Sequence, residues 1–264
     1  MPRKRQSQPV FGTPHRHFRV TDSTNTRARE LVEAGAAGGT VVTAREQTGG
    51  RGRQGRVWTA PEGKALLYSA ILRPLDERHL VLPLSVPLAV CEAAEELRPG
   101  IECQVKWPND VWLEERKLSG ILIEAKPQDG WAIIGIGLNL TIAPEEFPAD
   151  LRHPAVSLYG AATEPRGESR RSLPAVAPPG LPPRLLSTAA GALNRHMDRW
   201  VYADHDDVLE EWRRRDALRG REISWDEGKS SGVAAGIDAR GNLVVVLDGG
   251  RRVSLGSGEV QIRL

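Results

Sequence analysis

The sequence predicts an α+β protein, in which a mixed β-sheet backed by helices is followed by a small all-β domain. Two observations lead to this fold class. Up to about residue 216, short apolar segments typical of buried strands are interspersed with segments whose apolar residues recur at helical spacing. Beyond that point, short alternating strands are separated by the turn sequences Asp238-Ala239-Arg240-Gly241 and Asp248-Gly249-Gly250, with no helical pattern.

The first predicted element is a helix that Ser23 or Thr24 is placed to cap. Its apolar face recurs at helical spacing and consists of Ala28, Leu31, Val32 and Ala36, before Gly38-Gly39. Two short apolar strands follow, Thr40 to Ala44 and Ala65 to Leu72, and Pro74 ends the second one. The first of these strands leads directly into a loop rich in glycine and arginine.

The later elements are predicted from the same two periodicities. A helix is expected over Leu80 to Leu97, with Pro83 and Pro87 confined to its early part. Strands are predicted at Glu102 to Trp107, Val111 to Leu113, Leu118 to Glu124 and Trp131 to Leu140. Two further helices carry the apolar positions Leu186, Ala189, Leu193, Met197 and Trp200, and the segment Val208 to Arg215.

The chain divides into three parts by composition. Residues 1–17 are predicted to be a flexible basic tail, 18–216 the main domain, and 217–264 a small C-terminal β-barrel. Within the main domain, Thr163 to Arg184 holds six prolines and two glycines and shows no periodicity. We expect this segment to be a disordered or loosely packed insertion.

The overall composition excludes several classes of protein. The formal net charge is only +2, which argues against a protein that binds nucleic acid over its whole surface. No apolar run follows the basic start and none approaches a membrane span, so we expect a cytoplasmic protein without a membrane partner. Cys91 and Cys103 are expected to be buried structural thiols, and the histidines lack the spacing of metal ligands.

The loop Gly49 to Arg56, with the sequence GGRGRQGR, is the most informative segment. Glycine allows the backbone to approach a ligand closely, and arginine carries a permanent planar charge that matches carboxylate and phosphate groups. From Arg45 to Lys64, five basic residues stand against two acidic ones. Such a loop costs stability unless an anion orders it, so the pattern predicts an anion site and nothing more specific.

Four polar clusters fall at the ends of predicted strands or helices, where open sheets usually bind ligands. They are Asp22-Ser23-Thr24-Asn25; Gln47 with the loop and Trp58; Lys106-Trp107-Pro108-Asn109-Asp110; and Arg116-Lys117-Leu118-Ser119-Gly120. Each also has an ordinary structural interpretation: a helix cap, a turn, a solvated basic pair or, for the tryptophans, a core aromatic residue. Taken singly, none of the clusters decides between the two interpretations.

Together and in this order, the clusters resemble the biotin protein ligases. The resemblance consists of DSTN, Q-x-x-GRGRQGR-x-W, KWPND, RKLSGILIE and GIGLN at Gly135–Asn139, and it covers about Phe18 to Thr141. The combination of GRGRxGR with KWPND and RKxxG is highly specific. The resemblance implies a catalytic domain like that of class II synthetases and an SH3-like C-terminal barrel.

The resemblance also implies a reaction in two steps with ATP and biotin as substrates and Mg²⁺. The biotin carboxylate attacks the α-phosphate of ATP, which gives biotinyl-5′-adenylate and pyrophosphate. A lysine of a biotin carboxyl carrier protein or domain, belonging to acetyl-CoA carboxylase or a related carboxylase, then forms an amide and releases AMP. The oligomeric state, monomer or homodimer, is left open.

Roles carried over by resemblance fall on residues of the four clusters and GIGLN. The residues implied to contact biotin are Ser23, Thr24, Asn25, Gln47, Arg51, Gly52, Arg53 and Lys117. The residues implied to contact the nucleotide are Arg51, Arg53, Arg56, Trp58, Lys106, Trp107, Asn109, Asp110 and Asn139. Those implied in catalysis are Lys117, Arg53 and Asp110. For Asp110, two roles stay open: it holds Mg²⁺, or it orients or deprotonates the acceptor lysine.

Other functions were weighed against this one. Only about twenty residues precede Asp22, so we expect no helix-turn-helix domain and no binding to operator DNA. A nucleic-acid-binding module would use the arginine loop on phosphates, but the near-neutral charge argues against it. No GK[ST] follows the glycines, which excludes a P-loop. Lipoate-attaching enzymes are the nearest rival, and the GRGR loop favours biotin over lipoate.

Overall fold

The structure is a computed structural model, and it describes residues 8–151, 153–160, 182–258 and 260–262. Within these residues, seven strands form one mixed sheet in the order β1-β2-β3-β7-β6-β5-β4. Their bounds are β1 His15–Thr21, β2 Val41–Gln47, β3 Ala65–Leu72, β4 Cys103–Lys106, β5 Asp110–Leu113, β6 Arg116–Lys126 and β7 Trp131–Asn139. β1 pairs parallel with β2, and the other neighbouring strands are antiparallel.

Helices cover both faces of this sheet. The described residues hold α1 Thr24–Glu33, α2 Leu82–Leu97, α3 Pro182–Trp200 and α4 His205–Arg214. The central strands β3 and β7 are buried along their whole length. Strands that are covered on both faces are expected to be continuously apolar rather than alternating, which explains why these two segments stand out in the sequence.

The two faces of β3 show how the layers are divided. Ile71 packs with Ala28 and Val32 of α1 in a small cluster on one face. The alternate residues Leu66 and Tyr68 belong to the main core, which contains most of the apolar side chains of α2 and α3. The sheet therefore separates a thin layer under α1 from a thick layer under the other three helices.

The C-terminal strands form a second sheet. It has the order β11-β10-β9-β8-β12 within the described residues, and every neighbouring pair is antiparallel. The bounds are β8 Glu222–Trp225, β9 Ser230–Ile237, β10 Leu243–Val246, β11 Arg252–Leu255 and β12 Gln261–Ile262. The separate all-β unit that the sequence predicts is thus confirmed, while closure of this sheet into a barrel stays a prediction.

The junction between the two sheets is held by backbone and ionic contacts. The Arg215 carbonyl accepts a hydrogen bond from Val105 N at 2.8 Å, and Ala217 N donates to the Val105 carbonyl at 3.0 Å. The Arg215 guanidinium is 7% exposed and lies 2.6 Å from carboxylate oxygens of both Glu95 and Glu211. An arginine at this depth is stable only because it is paired on both sides.

The predicted flexible tail at residues 1–17 is wrong for its second half. Phe11 is 3% exposed, and its backbone N–H donates to Asp198 Oδ1 at 2.8 Å. β1 begins at His15, which pairs with Val41 of β2. β1 is a mostly exposed edge strand rich in charged residues, so no apolar periodicity marks it in the sequence. Residues 1–7 lie outside the described part of the chain.

The other elements differ from the predictions mainly at their ends. Ala65–Leu72 is a strand over the predicted range, whereas β2 and β6 extend beyond theirs. The predicted insertion at 163–184 lies outside the described residues except for its last three, with which α3 begins. None of the helices that the structure describes combines the length and the apolar content that a bilayer span requires.

The junction yields a prediction for stability. Burial raises the pKa of the Asp216 carboxyl above its ordinary value, although the Leu218 N–H donates to this group at 2.8 Å. The folded chain therefore binds a proton at this carboxyl more tightly than the unfolded chain does. As a result, the free energy of unfolding falls as the pH rises above the pKa of the unfolded chain, about 4.

We therefore expect Asp216→Asn to raise the melting temperature by a few degrees at pH 7–8, with a gain that shrinks as the pH falls towards 4. Thermal unfolding of both proteins across this range measures the effect. A gain that grows towards acid pH would contradict the assignment.

Candidate active site

The polar clusters converge on one cavity of about 500 Å³. It lies beside the N-terminus of α1 and is bounded by the loop after β2, by β6 and β7, and by residues that follow β7. Fourteen of the fifteen predicted site residues line it: Ser23, Thr24, Asn25, Gln47, Arg51, Gly52, Arg53, Arg56, Trp58, Lys106, Asn109, Asp110, Lys117 and Asn139. The structure thus brings together residues that are more than a hundred positions apart in the sequence.

The N-terminus of α1 presents a set of interlocked polar groups. Gln47 Oε1 accepts hydrogen bonds from Thr24 N at 2.7 Å and from Thr24 Oγ1 at 2.9 Å. Ser69 Oγ lies 2.8 Å from Thr24 Oγ1 and 2.6 Å from Asn25 Oδ1. Ser23 occupies the cap position of α1, as predicted, but its side chain makes no capping hydrogen bond. These groups are therefore fixed by one another, and Thr24, Asn25 and Gln47 line the cavity.

Two glycines of β7 make room for the side chains above them. A Cβ atom on Gly135 would lie 2.2 Å from Asn25 Oδ1, and one on Gly137 would lie 2.3 Å from the Trp58 ring. The Trp58 indole therefore lies directly on the strand, and its side chain forms an apolar wall of the cavity. The GIGLN sequence is needed at this place because any larger side chain would occupy the space of Asn25 or Trp58.

Phe147 also lines the cavity, and the residue before it, Glu146, forms an ion pair with Lys64. The Lys64 ammonium lies 2.5 and 2.6 Å from the two carboxylate oxygens of Glu146. This hydrogen bond, together with one from Ala143 N–H, holds the pKa of Glu146 below its ordinary value. Phe147 packs in the same apolar cluster as Trp58.

The glycine-arginine loop is a closed turn rather than an open flap. Gly52 N donates to the Arg56 carbonyl at 2.7 Å, and Trp58 N donates to the Gly50 carbonyl at 3.0 Å. Gly50 has no room for a side chain, since its Cβ would lie 2.3 Å from the Trp58 carbonyl oxygen. Gln54 lies in the left-handed region at φ 56°. Backbone hydrogen bonds within the loop therefore fix the positions from which its arginines extend.

An acidic residue of the chain itself pairs with the first loop arginine. Glu124 on β6 accepts hydrogen bonds from Arg51 Nη2 at 2.9 Å, Asn25 Nδ2 at 2.7 Å and Arg29 Nη2 at 2.6 Å. The loop needs an anion to be ordered, as the sequence suggests, and Glu124 is such an anion for Arg51. No motif in the sequence marks Glu124 for this role.

Two lysines bring further positive charge to the cavity. Lys117 Nζ lies 2.8 Å from Asp110 Oδ1 and 5.8 Å from the centre of the Trp58 ring. Lys106 is 2% exposed, and its Nζ lies 5.6 Å from the centre of the Trp112 ring and 3.4 Å from His153 Nε2. Counting the described lining residues, five permanent cations (three arginines and two lysines) stand against Asp110 and Asp150. An anionic ligand is therefore strongly favoured.

The two predicted asparagines shape the cavity through backbone contacts. Asn109 Nδ2 donates to the Ile121 carbonyl at 2.9 Å, and its Oδ1 accepts from Arg53 Nη1 at 3.3 Å. Asn139 Nδ2 donates to the Val156 carbonyl at 3.1 Å. Both amides therefore fix neighbouring backbone and, in the case of Asn109, a loop arginine.

Trp107 is the predicted site residue that does not line this cavity. It is 3% exposed, and its indole N–H donates to the Gly241 carbonyl of the C-terminal domain at 3.1 Å. This hydrogen bond gives Trp107 a structural role at the contact between the two domains. Trp107 also borders a neighbouring cavity that is lined by the glycine-arginine loop and Asn109, and its contact with the nucleotide stays a prediction.

The carboxylates of the cavity are too few to bind a magnesium ion by themselves, but they suit one that is also bound by the phosphates of a nucleotide. Among the residues that the structure describes, no group of three or more His, Cys, Asp or Glu side chains is placed to hold a metal. Proteins often bind Mg²⁺ through one or two carboxylates plus substrate phosphates, and Asp110, 8% exposed beside Lys117, suits this arrangement.

Comparison with known proteins agrees with this geometry. Residues 17–140 match the Biotin/lipoate A/B protein ligase family, and residues 223–263 match the Biotin protein ligase C terminal domain. The Biotin--[acetyl-CoA-carboxylase] ligase of Paracoccus denitrificans is 33% identical over 88% of this chain and 94% of its own length. The corresponding ligase of Mycobacterium tuberculosis is 31% identical over 94% of this chain and 90% of its own. The chain belongs to the biotin protein ligase family.

A further relative and a solved structure support this membership. The Bifunctional ligase/repressor BirA of Bacillus subtilis is 41% identical over 59% of this chain, and the match spans about half of that protein, 49%. The biotin protein ligase of Aquifex aeolicus in complex with biotin and ATP is 29% identical, with a TM-score of 0.70 over 94% of this chain and 98% of its own.

Several residues of this ligase-family site were missed from the sequence. Ser69 and Glu124 lie within predicted strands, where a polar side chain in an apolar segment is the available signal. His153 follows β7 in a segment without periodicity, and no sequence pattern ties it to Lys106. Gly135 and Gly137 belong to the quoted GIGLN motif but were given no physical role.

The packing of Trp58 on β7 can be tested by adding one methyl group. Gly137→Ala is expected to push the indole off the strand, and overpacking of this kind costs about 1–3 kcal/mol. Calorimetric titrations with biotin and with ATP are expected to show binding of at least one of them weakened by about fivefold or more.

Gly191→Ala is the matched control, because the nearest atom to a Cβ there is 3.7 Å away. Wild-type affinity for both compounds in Gly137→Ala would contradict the role of this contact.

Proposed function

We propose that this chain activates biotin with ATP to biotinyl-5′-adenylate and transfers biotin to a lysine of a biotin carboxyl carrier protein. The observation that carries the proposal is the joining of two environments in one cavity. The lining combines buried amide and hydroxyl groups, at Asn25 and Thr24, with the loop arginines and Lys117. A ligand with an uncharged polar ring at one end and a carboxylate or phosphate at the other fits both.

In the first step, the biotin carboxylate oxygen attacks the α-phosphorus of ATP, and the bond to the bridging oxygen of pyrophosphate breaks. Two anions must approach each other, and negative charge builds on the phosphoryl oxygens and the leaving group. We assign Arg51, Arg53 and Lys117 to these oxygens. Charged hydrogen bonds of this type contribute about 1.5–3 kcal/mol each.

In the second step, the lysine amine attacks the acyl carbon, an amide bond forms and AMP leaves with the bonding electrons. The amine loses one proton as the amide forms, and we assign Asp110 to orient the amine and to accept this proton. Lys117 Nζ lies 2.8 Å from Asp110 Oδ1. Lys117, which we assign to the first step, therefore also positions Asp110 for the second step.

Mg²⁺ would enter this site with the nucleotide, with Asp110 as its protein ligand, and it would supply charge neutralisation at the phosphates. The buried contact between Lys106 and His153 places a further cation beside Asp110, the residue that follows the KWPN sequence. We assign Lys106, Arg56, Trp58, Asn109 and Asn139 to the nucleotide side of the cavity.

The acceptor is proposed to be the biotin domain of a carboxylase, as the names of the Paracoccus and Mycobacterium relatives indicate for those proteins. We place the reaction in the cytoplasm, where ATP is regenerated. Lipoate is the alternative substrate, because the matched family includes lipoate ligases. The additional match to the Biotin protein ligase C terminal domain favours biotin.

A transfer assay tests the proposal. The purified chain is incubated with ATP, Mg²⁺, labelled biotin and a carrier domain, and then with lipoate in place of biotin. We expect label on the carrier that depends on both ATP and biotin. Transfer of lipoate alone, or no transfer of either, would contradict the proposal.

Lys117→Ala is expected to lower biotin-dependent ATP–pyrophosphate exchange by at least about a hundredfold, because the transition state loses a cation at the reacting oxygens. Lys126→Ala, which removes a lysine that pairs with Glu33 and Asp129 at the surface, is the control. Exchange near the wild-type rate in Lys117→Ala would refute this role.

Arg53→Gly is expected to shorten the retention of the adenylate, because the loop loses a charged group while its backbone turn remains. Released adenylate acylates lysines of any protein, so biotinylation of a bystander such as serum albumin should increase. If labelling of the bystander is unchanged while labelling of the carrier is equal, this role of Arg53 is contradicted.

A further inference from the structure

We propose that Glu124 is a positioning residue that couples the biotin-binding amide of Asn25 to the loop arginine Arg51. This inference rests on the proposed function and adds a connection between the amide assigned to the biotin ring and a cation assigned to the acid tail. It starts from one carboxylate oxygen, Glu124 Oε2, which accepts from Asn25 Nδ2 at 2.7 Å and from Arg51 Nη2 at 2.9 Å.

The Asn25 side chain has one permitted orientation. Its Oδ1 lies 2.6 Å from Ser69 Oγ, and its Nδ2 donates to Glu124, so both ends of the amide are engaged. Asn25 is 4% exposed and lies against Gly135, where a Cβ would be 2.2 Å from its Oδ1. A movement of the Glu124 carboxylate is therefore transmitted to this amide rather than absorbed by free rotation.

The second carboxylate oxygen prevents Glu124 from rotating. Arg29 of α1 donates to Oε1 at 2.6 Å. The Glu124 side chain is 25% exposed, so its charge is partly removed from water and needs these partners. Asn25 and Arg29 of α1 and Arg51 of the loop all donate to this carboxylate. Glu124 therefore connects α1 and the loop to β6.

The consequence concerns retention of the intermediate. Arg51 can lie over the adenylate only while its guanidinium is held at the cavity. Glu124 of β6 holds it there by accepting a hydrogen bond from Arg51 Nη2. Binding of the biotin ring at Asn25 and the position of Arg51 at the acid tail are then coupled through Glu124 Oε2. The expected signature is a change in intermediate release and biotin affinity rather than in the chemical step.

Glu124→Gln tests this directly, because the side chain keeps its size and loses its charge. We expect biotinyl-adenylate to dissociate from the purified complex about tenfold faster and the KM for biotin to rise, with kcat for exchange within about threefold of wild type. Glu30→Gln removes a similar ion pair with Arg27, at a side chain that is 54% exposed, and should change none of these values. Wild-type dissociation from Glu124→Gln, or equal effects in both variants, would overturn the proposal.

A double-mutant cycle gives a second test that does not depend on the folding of Glu124→Gln. Asn25→Ala and Arg51→Met are combined with Glu124 present, and biotin affinity is measured by calorimetry. We expect their effects to deviate from additivity by at least about threefold, and additive effects would overturn the proposal. Failure of the wild-type chain to exchange pyrophosphate would instead contradict the proposed function, so the two failures are distinguishable.

Discussion

Like charges around one cavity repel each other, and the site of this chain depends on the carboxylates that are paired with its cations. Lys117 is paired with Asp110 at 2.8 Å, and Arg51 is paired with Glu124 at 2.9 Å. These carboxylates are on the sheet, at the start of β5 and within β6. Lys117 and Arg51 are therefore each paired with a carboxylate of the sheet, the rigid part of the fold.

The same constraint explains the small residues of the site. If the cations and the tryptophan are to lie directly over the sheet, the strands beneath them must lack side chains at those positions. Gly137 lies under Trp58, and a Cβ on Gly120 would be 2.9 Å from Trp58 and 3.2 Å from the Lys117 side chain. Glycine within a strand costs stability, so its use here reflects the close approach of side chains from other elements.

Much of this arrangement could be predicted from the sequence, for identifiable reasons. The buried strands β3 and β7 have an apolar pattern, and the motifs around Gly52 and Asn109 have residue types whose chemistry is specific. What could not be predicted is how side chains pair across elements. Glu124 meets Arg51 and Asn25 only because β6, the loop and α1 converge, and no local pattern encodes that meeting.

Two features show where sequence patterns give little information. The edge strand β1 is largely exposed, so it lacks the apolar periodicity by which strands are recognised. Trp107 stands in the same motif as Asn109 and Asp110, and its indole N–H donates to the Gly241 carbonyl of the C-terminal domain. Membership of a motif does not determine which way each side chain points.

The central claim is that fixed cations recognise the acid tail of the ligand and its adenylate. Calorimetry with a non-hydrolysable biotinyl-adenylate analogue and with biotinol, in which the carboxylate is replaced by an alcohol, tests it most directly. The account predicts that the analogue binds at least about a hundredfold more tightly than biotinol and that this advantage shrinks as salt is raised. Equal affinities for the two compounds, unaffected by salt, would contradict it.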